Sequence, residues 1–246
     1  MSGLEVRGLI VRRAGSIIVH GVDLDVAPGQ VTLLLGANGA GKTTLLEAIS
    51  GLIPSGGGDV ILGGSTINRA SRVSRSRGGL CHIEQGRTVF GDLSVAENVA
   101  AVAVDQAAAD EALAMFPELK PRFDVAADAL SGGEQQMLVI ARALATRPTT
   151  LLVDEMSLGL APVIVHRLMP IFRRLADEGL AVLLVEQFAD LAMRIGDRAY
   201  VLARGQIVLS AESSDLRQRP EDLRRAYLGG GSTGGPAVGG VSVPAD

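Results

Sequence analysis

Residues 31–35 form the apolar run Val-Thr-Leu-Leu-Leu, residues 36–44 read Gly-Ala-Asn-Gly-Ala-Gly-Lys-Thr-Thr, and a helix-prone segment follows to Ser50. A buried strand, a glycine-rich turn and a helix N-terminus in that order are the context a phosphate-binding loop of the form G-x-x-x-x-G-K-T requires. Gly36, Gly39 and Gly41 let the backbone curl so that successive N–H groups point inward at phosphate oxygens. The helix adds unpaired N–H groups and the positive end of its dipole. Lys42 can then reach the β- and γ-phosphates, and the Thr43 hydroxyl can ligate Mg²⁺. A plain glycine-rich turn with a solvated lysine is the alternative, and the flanking strand and helix argue against it. A chain built around this unit is an α/β protein with a parallel sheet.

Composition narrows the setting. With 246 residues, 47% of them hydrophobic and 20% charged, the chain has material for one globular domain with room for a lobe. A net charge of −4 argues against an open nucleic-acid surface, so no nucleic-acid partner is expected. Lys42 and Lys120 are the only lysines; every other side-chain cation is arginine or histidine. Cys81 stands alone, which excludes a disulfide framework or a cysteine-based metal site. The first residues lack the basic-then-apolar layout of a secretion signal, and apolar runs such as 180–185 are too short to cross a bilayer. The expectation is a cytoplasmic protein without direct membrane insertion, touching a membrane only through a partner.

Along the chain, residues 4–11 and 17–26 read as strands joined by a turn at 12–16; Val22, Leu24 and Val26 alternate with acidic residues. Residues 59–62 read as a further short strand, giving a small antiparallel layer beside a parallel core. Arg69, Arg72 and Arg75 are spaced to share one helix face, read here as a solvated basic face. After a strand at 79–83, residues 95–104 and 107–116 are alanine-rich and helix-prone, and Pro117 and Pro121 break the pattern. No strand signal appears from 86 to 130, so this stretch reads as a helical insertion.

Two further stretches carry chemistry. Leu-Ser-Gly-Gly-Glu-Gln-Gln at 130–136 begins a long helix: Ser131 is a natural N-cap, and Gly132 and Gly133 leave the first turn open, a second anion site if not merely an ordinary capped helix. The strand at 150–153 ends in Asp154 and Glu155, where an open α/β sheet binds ligands. Asp154 is placed to hold Mg²⁺, and Glu155 to orient and deprotonate an attacking water. Later come a helix at 162–177, a buried strand at 180–185, a hairpin of 198–203 with 206–209, and a last helix at 220–227. Residues 229–246, rich in glycine, proline and serine, read as a disordered tail.

The ordered set GANGAGKTT, LSGGEQQ and LLVDE resembles the nucleotide-binding subunits of ABC transporters, with LSGGEQQ the discriminating element. The longer stretch LSGGEQQMLVIARAL, SLGLAP at 157–162, LLVEQ at 183–187 and the ending AYLG are similar to the branched-chain amino acid importer subgroup. The resemblance covers about residues 4–229. It implies the ABC ATPase fold: a P-loop NTPase core (1–85 and 148–228) with a small antiparallel β layer and an inserted α-helical subdomain at about 86–147.

It also implies ATP and Mg²⁺ as cofactors, with ATP held between two subunits arranged head to tail. Gly36, Asn38, Gly39, Ala40, Gly41, Lys42, Thr43 and Thr44 would bind it from one subunit, and Ser131, Gly132, Gly133 and Glu134 from the other. Thr43, Gln85 and Asp154 would serve the metal; Glu155, Gln187 and Lys42 would be catalytic. The implied partners are a second ATPase subunit, identical or homologous, and transmembrane permease subunits docked on the helical insertion, which would hold the chain at the inner face of the cell membrane. The implied activity is ATP hydrolysis driving import of branched-chain or other hydrophobic amino acids or similar small solutes; a weakly active or non-catalytic partner subunit is the alternative. The chain departs from the family pattern at several places. No aromatic precedes Phe90, so none is available near Ala14 to stack on adenine; Met156 stands for a proline and is expected to relax the turn after Glu155; Gln187 stands for the switch histidine; and Ala161 and Glu84 stand for an aspartate and a proline.

Overall fold

The computed structural model describes residues 3–187 and 189–227; the tail reading for 229–246 lies outside them. In chain order the elements are β1 (Leu4–Arg13), β2 (Ser16–Val26), β3 (Val31–Leu35), α1 (Lys42–Ser50), β4 (Gly57–Leu62), β5 (Ser65–Thr66), α2 (Arg72–Arg77), β6 (Leu80–Ile83), α3 (Val95–Ala100), α4 (Gln106–Ala114), α5 (Gly132–Ala145), β7 (Thr150–Asp154), α6 (Pro162–Asp177), β8 (Ala181–Glu186), α7 (Ala189–Ala192), β9 (Arg198–Ala203), β10 (Gln206–Glu212), α8 (Ser213–Gln218) and α9 (Pro220–Tyr227). Two 3₁₀ turns, Pro117–Arg122 and Ala127–Ala129, link α4 to α5.

Two sheets carry the fold. One is antiparallel in the order β2-β1-β4-β5; the other runs β10-β9-β3-β8-β7-β6, parallel except for the β9–β10 hairpin at its edge. Strands β3, β7 and β8 are buried along their whole length, as parallel strands covered on both faces are. The pleat divides their side chains between two cores. Leu33, Val153 and Leu184 face a cluster with α5, α6 and the helical lobe, while Leu34, Leu152 and Val185 face one with α1 and the antiparallel sheet. Because β3, β6, β7 and β8 all run the same way, their C-terminal ends converge on one edge. There the glycine loop, Gln85, Glu155 and Gln187 emerge.

The helical lobe contains no strand, as expected, and only an isolated bridge between Ser94 and Ala126. Its helices are shorter than the alanine content suggested: α3 stops at Ala100 and α4 at Ala114. Among the described residues no helix is long and apolar enough to cross a membrane.

The arginine cluster is a correction. Arg69 precedes α2 and shares no helix face with the others; Arg69, Arg72 and Arg77 are exposed, but Arg75 is only 5% exposed. Its guanidinium donates to Ala48 O and Ile49 O at 2.9 and 2.6 Å, and to Asn68 O and Ala70 O, both at 3.1 Å. It thus binds carbonyls in the last turn of α1, of which Ala48 O also takes the N–H of the C-cap Gly51. The buried cation fixes the helix whose other end is the phosphate loop.

Candidate active site

The loop between β3 and α1 holds three glycines, Gly36, Gly39 and Gly41, at positive φ. At Gly36, φ is +155° and a Cβ would stand 2.3 Å from Leu202 O. At Gly41, φ is +106°, a region L side chains rarely adopt. Gly41 is also the N-cap of α1, and no side chain caps the helix there, so its first N–H groups are left for a ligand. Lys42 is buried, and its Nζ donates to Gly36 O at 2.9 Å and Ala37 O at 3.2 Å while pairing with Glu155 Oε1 at 3.1 Å.

Asp154 is fully buried and neither carboxylate oxygen has a hydrogen-bond partner. Burial pushes its pKa up to about 6, partly offset by the neighbouring Thr43 hydroxyl; Glu155 adds a further upward push. A buried carboxylate with a hydroxyl nearby but no hydrogen bond of normal geometry is costly on its own, and a divalent cation is the partner its charge fits. Glu155 follows with φ +43°, a left-handed conformation uncommon for a side-chain-bearing residue. Met156, which stands for the expected proline, is buried. Gln85 Nε2 donates to Glu155 Oε2 at 3.3 Å, and Glu155 N–H donates to Val185 O at 3.0 Å.

These groups line one cleft of about 510 Å³: Asn38, Gly39, Gly41, Lys42, Thr43 and Thr44 from the loop, with Gln85, Glu155 and Gln187 facing them. Gly36, Ala40 and Asp154 are not part of its lining. Arg13, Ile18 and Leu158 complete the lining, three residues the sequence reading did not single out. Arg13 and Ile18 flank the two-residue turn at Ala14-Gly15, where no aromatic is present.

Ser131, Gly132, Gly133 and Glu134 do not line this cleft. The Ser131 hydroxyl accepts from Glu134 N–H, and the Glu134 carboxylate accepts from Ser131 N–H at 2.8 Å, a reciprocal capping box. Glu134 also takes a hydrogen bond from Arg122 Nε at 3.1 Å, and its pKa is held below the usual range chiefly by Ser131. Its carboxylate therefore serves its own helix start. Gly132 has the Arg87 guanidinium where a Cβ would be, and Gly133 has Ile164.

One buried group escaped the sequence reading altogether. Glu186, the last residue of β8, is fully buried and accepts from Ser157 Oγ at 2.5 Å and Ser157 N–H at 3.3 Å. Burial pushes its pKa up to about 7 against the pull of the Ser157 donors. A lone carboxylate closing an otherwise apolar strand was the available signal.

Residues 19–157 match the ABC transporter family model. The chain is 41% identical over 218 residues to the high-affinity branched-chain amino acid transport ATP-binding protein BraG of Pseudomonas aeruginosa, covering 86% of this chain and 93% of that protein. It is 36% identical to the probable branched-chain amino acid transport ATP-binding protein LivF of Archaeoglobus fulgidus, covering 86% and 92%. A solved ATP-binding subunit of an ABC transporter superimposes with a TM-score of 0.81 at 23% identity, covering 93% and 99%, which establishes the fold. With matches of this extent on sequence and structure alike, the chain belongs to the ABC transporter family, as one of its ATP-binding and ATP-hydrolysing subunits.

Proposed function

We propose that this subunit energises an importer of branched-chain or similar hydrophobic amino acids, with ATP enclosed between two ATPase subunits arranged head to tail. The observation that carries the reading is the division of the site. Lys42, Thr43, Glu155 and Gln187 share one cleft, while the helix start at Ser131–Gly133 lies outside it, so a second subunit is needed to bring the two halves around one nucleotide. The names of BraG and LivF support the cargo class. Permease subunits docked on the helical insertion would hold the chain at the inner face of the membrane.

In the resting geometry Lys42 and Glu155 neutralise each other across 3.1 Å. The triphosphate competes for the lysine, and the α1 N–H groups take up its oxygens. Glu155, released from Lys42, is then free to orient the attacking water and accept its proton. Thr43, Asp154 and Gln85 would hold Mg²⁺, which when bound would neutralise charge developing on the phosphates. The Gln187 amide can donate to the γ-phosphate without becoming cationic. Near the turn at Ala14, Ile18 and the Arg13 side chain, whose guanidinium pairs with Glu47 at 2.6 Å, line the cleft in place of an aromatic ring.

The missing aromatic and Gln187 favour one second reading, a weakly active partner that completes another subunit's site. Steady-state ATPase assays of the chain alone and with a co-expressed paralogue, with Glu155→Gln as control, separate the two. Turnover by the chain that Glu155→Gln abolishes, with nucleotide binding retained, supports the catalytic reading. Undiminished hydrolysis by that variant refutes Glu155 as base.

A further inference from the structure

Glu155 and Gln187 stand at the ends of two different strands, and their relative position depends on what joins those ends. Three hydrogen bonds do so. Glu155 N–H donates to Val185 O at 3.0 Å, and Ser157 gives both its N–H and its hydroxyl to the Glu186 carboxylate, at 3.3 and 2.5 Å. Glu186 has no solvent exposure and is absent from the nucleotide cleft, lining instead a separate, mostly apolar pocket of about 290 Å³ beside Ser157, yet it is covalently next to Gln187; Ser157 is two residues beyond Glu155. A buried carboxylate is costly to desolvate, and an apolar residue would serve mere packing there better. On its far side the same segment is pinned by Arg87, whose Nη2 donates to Gly159 O at 3.0 Å. The turn bearing Glu155, left-handed at that residue, is thus clamped from both sides.

We propose that Glu186 is a positioning residue for ATP hydrolysis: by holding Ser157 it makes the turn that carries Glu155 and the strand end that carries Gln187 move as one body. This rests on the roles of Glu155 and Gln187 proposed above. Glu186 touches no reacting atom, so its loss acts on the chemical step and spares nucleotide capture, which belongs to the loop and α1.

The test is a double-mutant cycle on the full chain, with ATP turnover, KM and equilibrium nucleotide binding measured for each protein. Ser157→Ala and Glu186→Ala should each lower kcat about tenfold, with KM and binding within about twofold of wild type. The double variant should be no worse than Glu186→Ala, because both remove one contact. Ser157→Thr, which keeps the hydroxyl, should restore most of the rate. Additive losses, or a kcat unchanged in folded Ser157→Ala, overturn the proposal; should Glu186→Ala fail to fold, the Ser157→Ala and Ser157→Thr pair decides it. Failure here with Glu155→Gln still inactive leaves the catalytic reading standing, whereas an active Glu155→Gln removes that reading itself.

Discussion

The two halves of the proposed nucleotide site are satisfied in opposite ways. Around the phosphate loop the helix start is uncapped, Asp154 has two bare oxygens, and Lys42 is held by carbonyls and by Glu155. At the signature helix, Ser131 and Glu134 complete each other's hydrogen bonds, and both glycines are backed by side chains. The first region is built with deficits that a ligand repairs, and the second is finished without one. On the proposed reading the difference gives them different work: the loop would capture nucleotide within one chain, and the signature helix of a second subunit would close on it as a rigid face. Capture should therefore depend on the first region alone, and turnover on both.

The sharpest way to break that contrast is Lys42→Ala. Nucleotide affinity, measured by equilibrium binding to the isolated chain, should fall by about 100-fold or more, since a buried ion-pairing donor is removed from the phosphates. Retained binding would erase the distinction.

A second prediction concerns the deficits themselves. Asp154 and Glu186 have folded-state pKa values raised to about 6 and about 7. A carboxyl group with a raised folded pKa binds its proton more tightly when folded, so its contribution to stability falls as pH rises from the unfolded value through the folded one. Thermal unfolding of nucleotide-free protein should thus show wild type losing stability between about pH 4 and pH 7 relative to an Asp154→Asn/Glu186→Gln variant, by on the order of 1–3 kcal/mol, with no further loss above that range. Parallel pH curves for the two proteins would contradict it.

The smallest effect sharpens the comparison from the other side. Ser131→Ala should cost about 1 kcal/mol of stability through the lost cap, lower ATP turnover, and leave nucleotide binding by the isolated chain unchanged. A variant that weakened single-chain binding would place Ser131 in the capture half.

What the sequence made legible was whatever is encoded locally. The glycine loop, the capped helix at Ser131 and the carboxylates ending β7 each announce themselves within a few residues, and the loop and the carboxylates lie at the C-terminal ends of parallel strands. Arg75 was misread because its burial is decided by carbonyls 26 and 27 positions away, at the end of α1. Glu186 was missed for the same reason: its partner lies 29 residues back. Glu155's left-handed backbone, its bond to Val185 and the burial of Met156 are likewise not visible in the order of side chains.

The bridge between Lys42 and Glu155 has a consequence for how affinities are interpreted. It acts as an internal competitor, occupying the ammonium that an incoming triphosphate must take. Removing the carboxylate charge in Glu155→Gln also removes that competitor. Part of any tightening of ATP binding in this variant is therefore expected even in a solitary chain, before any second subunit closes, and only the excess over that amount reports on the sandwich.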